Sequence, residues 1–200
     1  MITLYFAPRT RAVRILWLLE ELGLPYELKK MAFAPPSKTF SQQTPLGKFP
    51  VIEDGDLVIS ESGAILEYIL ERYGEGRLAP PIGSPLRGPF LQWIHFAEGT
   101  AYPPLGNIVW HTLYKRDAES LPGVIADARG RARDALDFAA QALTGRDYLL
   151  GDEFSGADIM LGFTLAVAQV LGVLEQGDAV LMRYLARLQA RPAFQKAAAA

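Results

Sequence analysis

The chain has 200 residues, of which 50% are hydrophobic and 21% charged, a balance that suits a packed globular protein and excludes disorder over most of the length. Its formal net charge is −2 and its lysines and arginines are scattered, so there is no basic field and no nucleic-acid partner is expected. Cysteine is absent, which excludes disulfides, thiolate metal sites and Cys-x-x-Cys redox chemistry by this chain alone. Any thiol used here must arrive with a substrate.

Ile2 to Phe6 reads as a strand with no basic region ahead of it, so no signal peptide is expected and a cytoplasmic location is. Ala12, Ile15, Leu16, Leu19 and Leu22 then follow the spacing of a helix face, and Gly23 is the stop signal. After Pro25, Tyr26 to Met31 alternates weakly and predicts a second strand, parallel to the first across the helix. Ala34 to Thr44, rich in Pro, Ser, Thr and Gln, predicts an irregular connection or a short helix. Val51-Ile52 and Leu57-Val58-Ile59 flank Glu53-Asp54-Gly55-Asp56, a strong hairpin signal. The next helix starts after Ser62, places Ile65, Leu66, Ile69 and Tyr73 on one side, and stops near Gly74.

Prolines and glycines crowd residues 78–89, the natural boundary between two domains. Everything beyond reads as helix. Ile159 to Leu174 is the most apolar run, but it falls short of the roughly 20 residues of a membrane span, so a helix in a soluble core is expected and no membrane partner. That helix has a clear start: Ser155 and Asp158 form a carboxylate version of the capping box, with Phe154 and Ile159 as the hydrophobic staple. The two histidines, His95 and His111, have no carboxylate at ligand spacing, and no metal is expected.

Two short motifs carry the chemistry. In Leu46-Gly47-Lys48-Phe49-Pro50-Val51-Ile52 a proline stands at the entry of an apolar strand, which leaves the Phe49 backbone to pair with something other than the sheet, such as a bound peptide. In Ser60-Glu61-Ser62-Gly63-Ala64-Ile65 a carboxylate, a hydroxyl and the open N–H groups of a helix start converge, which suits the head of a free amino acid. Its ammonium would go to Glu61 and its carboxylate to Ser62 and the helix end.

These motifs at this separation resemble the glutathione site of the cytosolic glutathione S-transferases. The resemblance extends through Thr10-Arg11-Ala12-Val13-Arg14-Ile15-Leu16-Trp17-Leu18-Leu19-Glu20-Glu21-Leu22-Gly23, similar to a bacterial and fungal subgroup of the serine or threonine type, and through the later cap. It implies an α/β thioredoxin-like N-terminal domain over residues 1–78, a linker over 79–88 and an all-α helical domain over 89–200. It also implies glutathione as co-substrate, a small hydrophobic electrophile as second substrate and a homodimer.

Thr10 stands where the subgroup has its serine and is the first candidate to hold the glutathione sulfur as thiolate, with Arg11 or Arg9 supplying positive charge. A plain helix cap is the other reading of Thr10, and Tyr5 is the next donor. Ala7 and Pro8 stand where other classes carry serine, so no second hydroxyl is available there. The resemblance assigns Lys48 to the glycine carboxylate, the Phe49 main chain and Pro50 to the peptide backbone, Glu61 and Ser62 to the head, and Gln43 to a further contact. Arg14, recurring inside the helix pattern, is read as structural. Phe33, Tyr102, Trp110, His111 and Tyr114 are the candidates for the acceptor pocket.

The expected function is conjugation of glutathione to small hydrophobic electrophiles, with peroxide reduction as a side reaction. The alternative is a non-catalytic ligand carrier or dimerising module that keeps the fold.

Overall fold

The structure, a computed structural model, describes residues 1–32, 44 and 46–200. Apart from Thr44, the expected connection with Gln43 lies outside the described residues, as does Phe33 before it. Contacts divide the chain into two compact units, Met1–Ile82 with Gln189–Ala200, and Gly83–Leu188. The expected division placed residues 89–200 together; the contacts give the last twelve to the first unit.

The first unit is built on a four-stranded sheet of order β2-β1-β3-β4, from β1 (Ile2–Phe6), β2 (Tyr26–Lys30), β3 (Val51–Asp54) and β4 (Leu57–Ser60). β1 is buried throughout and pairs parallel to β2 and antiparallel to β3. The connecting helix α1 (Ala12–Leu22) is buried at every position from Ala12 to Leu19. It stops as read: Gly23 takes φ 64°, the left-handed conformation that glycine adopts without penalty, and the Gly23 and Leu24 N–H groups close on Glu20 and Leu19. Helix α2 (Ser62–Tyr73) follows β4. The order βαβ then ββα is the thioredoxin-like arrangement.

The β3–β4 hairpin is tighter than its sequence suggested. Glu53 and Asp54 belong to β3, and Gly55 and Asp56 alone turn the chain, with Gly55 at φ 63°. Asp54 stays in the strand because the hydroxyls of Tyr68 (2.7 Å) and Tyr73 donate to its Oδ2, tying α2 to the sheet edge. The Tyr73 bond foremost, with that of Tyr68 and the nearby Arg72, holds the Asp54 carboxyl below its ordinary value, while Tyr68 is pushed up to about 12. A depressed carboxyl stabilises the fold above the unfolded pKa of about 4, and the contribution is lost as pH falls through the folded value. In calorimetric scans from pH 7 to pH 3, Asp54→Asn is expected to melt about 3–6 °C below wild type at neutral pH. That gap should close in acid; a gap of the same size at both ends would refute the assignment.

The last helix, α8 (Pro192–Ala198), packs on α1. The Trp17 ring meets Phe194 edge-on at 4.9 Å, and Trp17 Nε1 donates to Glu21 at 2.8 Å. Arg191 grips both Glu21 oxygens at 2.6 and 2.8 Å, and Lys196 reaches Glu20 at 2.8 Å.

In the second unit the regular elements are helices: α3 (Arg87–Phe96), α4 (Tyr102–Val109), α5 (Pro122–Leu143), α6 (Gly156–Val170) and α7 (Ala179–Gln189), whose last residue falls in the first unit. The first long helix is interrupted twice, by π-helical turns at Ala97–Ala101 and Trp110–Lys115. The apolar run forms α6, buried continuously from Gly156 to Leu165, and no helix among the described residues is long and apolar enough to cross a membrane.

The predicted capping box is present at its start. Asp158 is fully buried and accepts from the Ser155 N–H and hydroxyl, both at 2.8 Å. Its other oxygen accepts from the Leu149 N–H at 2.9 Å and the Tyr184 hydroxyl at 2.7 Å. The Phe154 ring packs edge-on against Tyr148, 5.7 Å between centroids.

Candidate functional site

In the first unit three chain segments carry the candidate residues. Residues 7–11 turn the chain from β1 into α1 and present Thr10 and Arg11, both half-buried. Arg9 sits at φ 62°, uncommon for a residue with a Cβ. The Thr10 hydroxyl donates to the Ala7 carbonyl at 2.7 Å and accepts from the Ala12 N–H at 3.3 Å. It therefore braces the turn, and its single proton must rotate off Ala7 before it can serve a thiolate. That exchange is favourable, since a neutral hydrogen bond contributes about 0.5–1.5 kcal/mol and one to a charged group about 1.5–3. Burial foremost, with Glu53 nearby, pushes the Tyr5 hydroxyl up from its ordinary value, and the Lys29 ammonium lies 5.3 Å from its ring.

The second segment leads into β3. The Phe49–Pro50 peptide is cis, both residues are buried, and they precede the last β1–β3 partners, Tyr5 and Val51, so the Phe49 main chain lies outside both ladders. Lys48 is exposed, next to Gly47 at φ 61°.

The third segment joins β4 to α2. Glu61 takes φ 71° and ψ 112°, a sparsely populated conformation that costs about 1–3 kcal/mol and that glycine would adopt more readily. Its side chain is exposed. No side chain caps α2, so the N–H groups of its first turn stay open as donors at the positive end of the helix dipole. Ser62 is 3% exposed, and Arg14 Nη1 donates to its hydroxyl oxygen at 3.0 Å.

Arg14 is thus structural as read, and more: it fixes the orientation of a candidate binding residue. It is 0% exposed on a helix buried on all sides, so its guanidinium needs a polar partner inside the fold. Ser62 supplies that partner from a segment 48 residues away.

The second unit gathers Tyr102, Trp110 and Tyr114. The Trp110 and Tyr114 rings meet edge-on at 5.9 Å, and burial with the nearby Tyr102 pushes the Tyr114 hydroxyl up. Tyr102 stacks on Phe163 of α6 at 6.3 Å, a partner that sequence reading missed because Phe163 is indistinguishable from its apolar neighbours. The His111 ring pairs with a carboxylate six residues on, with Asp117 Oδ1 2.8 Å from His111 Nδ1. The chain folds back at Arg116, φ 56°, and the Asp117 N–H closes on the His111 carbonyl at 3.1 Å. No group of three or more metal-ligating side chains occurs among the described residues.

A thioredoxin-like sheet, a proline-led strand whose preceding main chain leaves the ladder, and an uncapped helix start bearing a strained glutamate define a protein suited to a peptide-like ligand. The comparisons with known proteins agree. Residues 1–71 match the model of the glutathione S-transferase N-terminal domain, and residues 122–195 that of the C-terminal domain. The chain is 26% identical to glutathione S-transferase 3 of Schizosaccharomyces pombe, over 99% of this chain and 87% of that protein. It is 30% identical to glutathione S-transferase 1 of Triticum aestivum, over 75% and 71%. A crystal structure of a glutathione transferase family member from Pseudomonas fluorescens, with two glutathione bound, superposes with a TM-score of 0.86 at 26% identity, covering 98% of this chain and 92% of that one. The chain belongs to the glutathione S-transferase family.

Proposed function

We propose that the protein transfers the thiol of reduced glutathione to small hydrophobic electrophiles in a detoxifying conjugation, acting in the cytoplasm as a homodimer. The observation that carries this reading is the β4–α2 junction. Strain at Glu61 is retained where a helix start is left uncapped, and an amino-acid zwitterion uses both features at once. Glu61 pairs with the ligand ammonium, while Ser62, held by Arg14, and the open N–H groups take the carboxylate. Lys48 takes the distal carboxylate and the Phe49 main chain, at Pro50, the peptide bond; Gln43 adds a further contact.

Glutathione supplies the sulfur nucleophile. The site has to favour its anion: a free thiol titrates near 8.5, and lowering that by two units takes about 2.7 kcal/mol. Exchanging the Thr10 bond to Ala7 for one to the thiolate contributes up to about 2.5 kcal/mol, and positive charge from Arg11 supplies the remainder. The aromatic group of Tyr102, Trp110 and Tyr114, with His111, receives the apolar electrophile. The open groove of about 600 Å³ along α3, α4 and α5, with Phe138 exposed and Arg131 and Asp134 in its lining, supports self-association through this unit; sedimentation tests it.

The carrier reading has one observation in its favour, since the Thr10 hydroxyl is occupied within its own turn. Turnover of a chromogenic aryl halide separates the two. Thr10→Ala is expected to lower kcat about 10- to 100-fold while glutathione affinity changes less than threefold. Unchanged kcat would remove Thr10 from the chemistry. Wild-type binding without turnover would establish the carrier.

A further inference from the structure

We propose that the groove between the 145–148 loop and α7 binds a small phosphate-bearing anion. Helix α7 sets Val180, Arg183, Tyr184 and Arg187 along one face, opposite Arg146 and Asp147, around a cavity of about 210 Å³. Three guanidinium groups and one carboxylate line it, a local charge of +2 in a chain of net −2.

The single carboxylate is already committed. Asp147 Oδ1 lies 2.6 Å from Arg187 Nη2, and Arg187 Nη1 donates to the Asp147 carbonyl at 2.8 Å. The Arg187 guanidinium also lies 5.7 Å from the Tyr148 ring, so this wall is fixed. Arg146 and Arg183 are exposed, and among the described residues neither has a carboxylate within ion-pair range. The floor is rigid, because the buried Tyr184 spends its hydroxyl on Asp158.

Arg146 and Arg183 line one cavity without a carboxylate to balance them, and planar guanidinium forks match tetrahedral phosphate better than a spherical halide. The volume lies below that of a drug-sized pocket, which selects a phosphate or a short phosphomonoester. No residue of the glutathione proposal takes part, so the two readings stand or fall separately.

Titrations of inorganic phosphate and glycerol 3-phosphate, against sodium chloride of equal ionic strength, test this in wild type, Arg183→Lys and the double variant Arg146→Gln/Arg183→Gln. Both positions are exposed, so folding should be intact. Wild type should show a saturable rise in Tm that chloride does not reproduce. The double variant should bind roughly tenfold or more weakly, with Arg183→Lys between them. An equal rise with chloride, or an unchanged response in the double variant, would overturn the site. Co-sedimentation with phosphatidic acid vesicles in the absence of any response to the free anions would overturn the small-molecule assignment.

Discussion

Replacing Asp158 by alanine is expected to cost about 3–5 kcal/mol of stability and to lower the Tm by about 10 °C or more. The substitution does more than remove a helix cap, worth about 0.5–2 kcal/mol. It leaves the Leu149 and Ser155 N–H groups and the Tyr184 hydroxyl without their acceptor, in a region where Asp158, Ser155 and Leu149 are each under 5% exposed. Each such loss costs about 1–3 kcal/mol, and the losses do not add fully because the helix start can relax. Tyr184→Phe removes one of the four bonds and should cost about 1–2 kcal/mol. Urea unfolding of the three proteins gives the order directly. A loss below 1 kcal/mol for Asp158→Ala would mean that the junction of α6, α7 and the preceding loop is held by apolar packing alone.

The second large effect is expected at Glu61. Loss of a charge-assisted bond to the ligand ammonium is worth about 1.5–3 kcal/mol, so Glu61→Ala should weaken glutathione binding roughly 10- to 150-fold. Alanine keeps the Cβ and hence the strain at φ 71°. Glu61→Gly relieves it and should raise the Tm by a few degrees while binding glutathione as poorly as Glu61→Ala. A variant that is stabler and binds less well is the signature of a residue retained for its ligand. If Glu61→Gly lowered stability, the conformation would be serving the fold.

Much of this architecture was legible in the residues. The β1–α1–β2 unit, the Gly23 stop, the hairpin and the Ser155–Asp158 box follow from periodicity and cap chemistry, which act over a few residues. The two motifs also located the proline-led strand and the uncapped helix start. Contacts between distant segments were not legible. Nothing local to Arg14 names Ser62, 48 residues away, and nothing local to Asp158 names Tyr184. The last helix joins the first unit through Glu20, Glu21, Trp17 and Phe194, pairings that only the folded chain brings together. The His111–Asp117 pair depends on a left-handed turn at an arginine, which no turn rule anticipates. Gly55-Asp56 turns the hairpin because tyrosines on α2 hold Asp54 in the strand.

Calorimetric titration of reduced glutathione into the wild-type protein bears most directly on the central claim, that the β4–α2 junction and the Phe49–Pro50 segment together hold this tripeptide. Saturable heat is expected, at one site per chain with a Kd between about 1 μM and 1 mM. Absence of heat and of any Tm shift up to about 10 mM would contradict it, since at that concentration even a millimolar Kd would stabilise the fold by more than 1 kcal/mol.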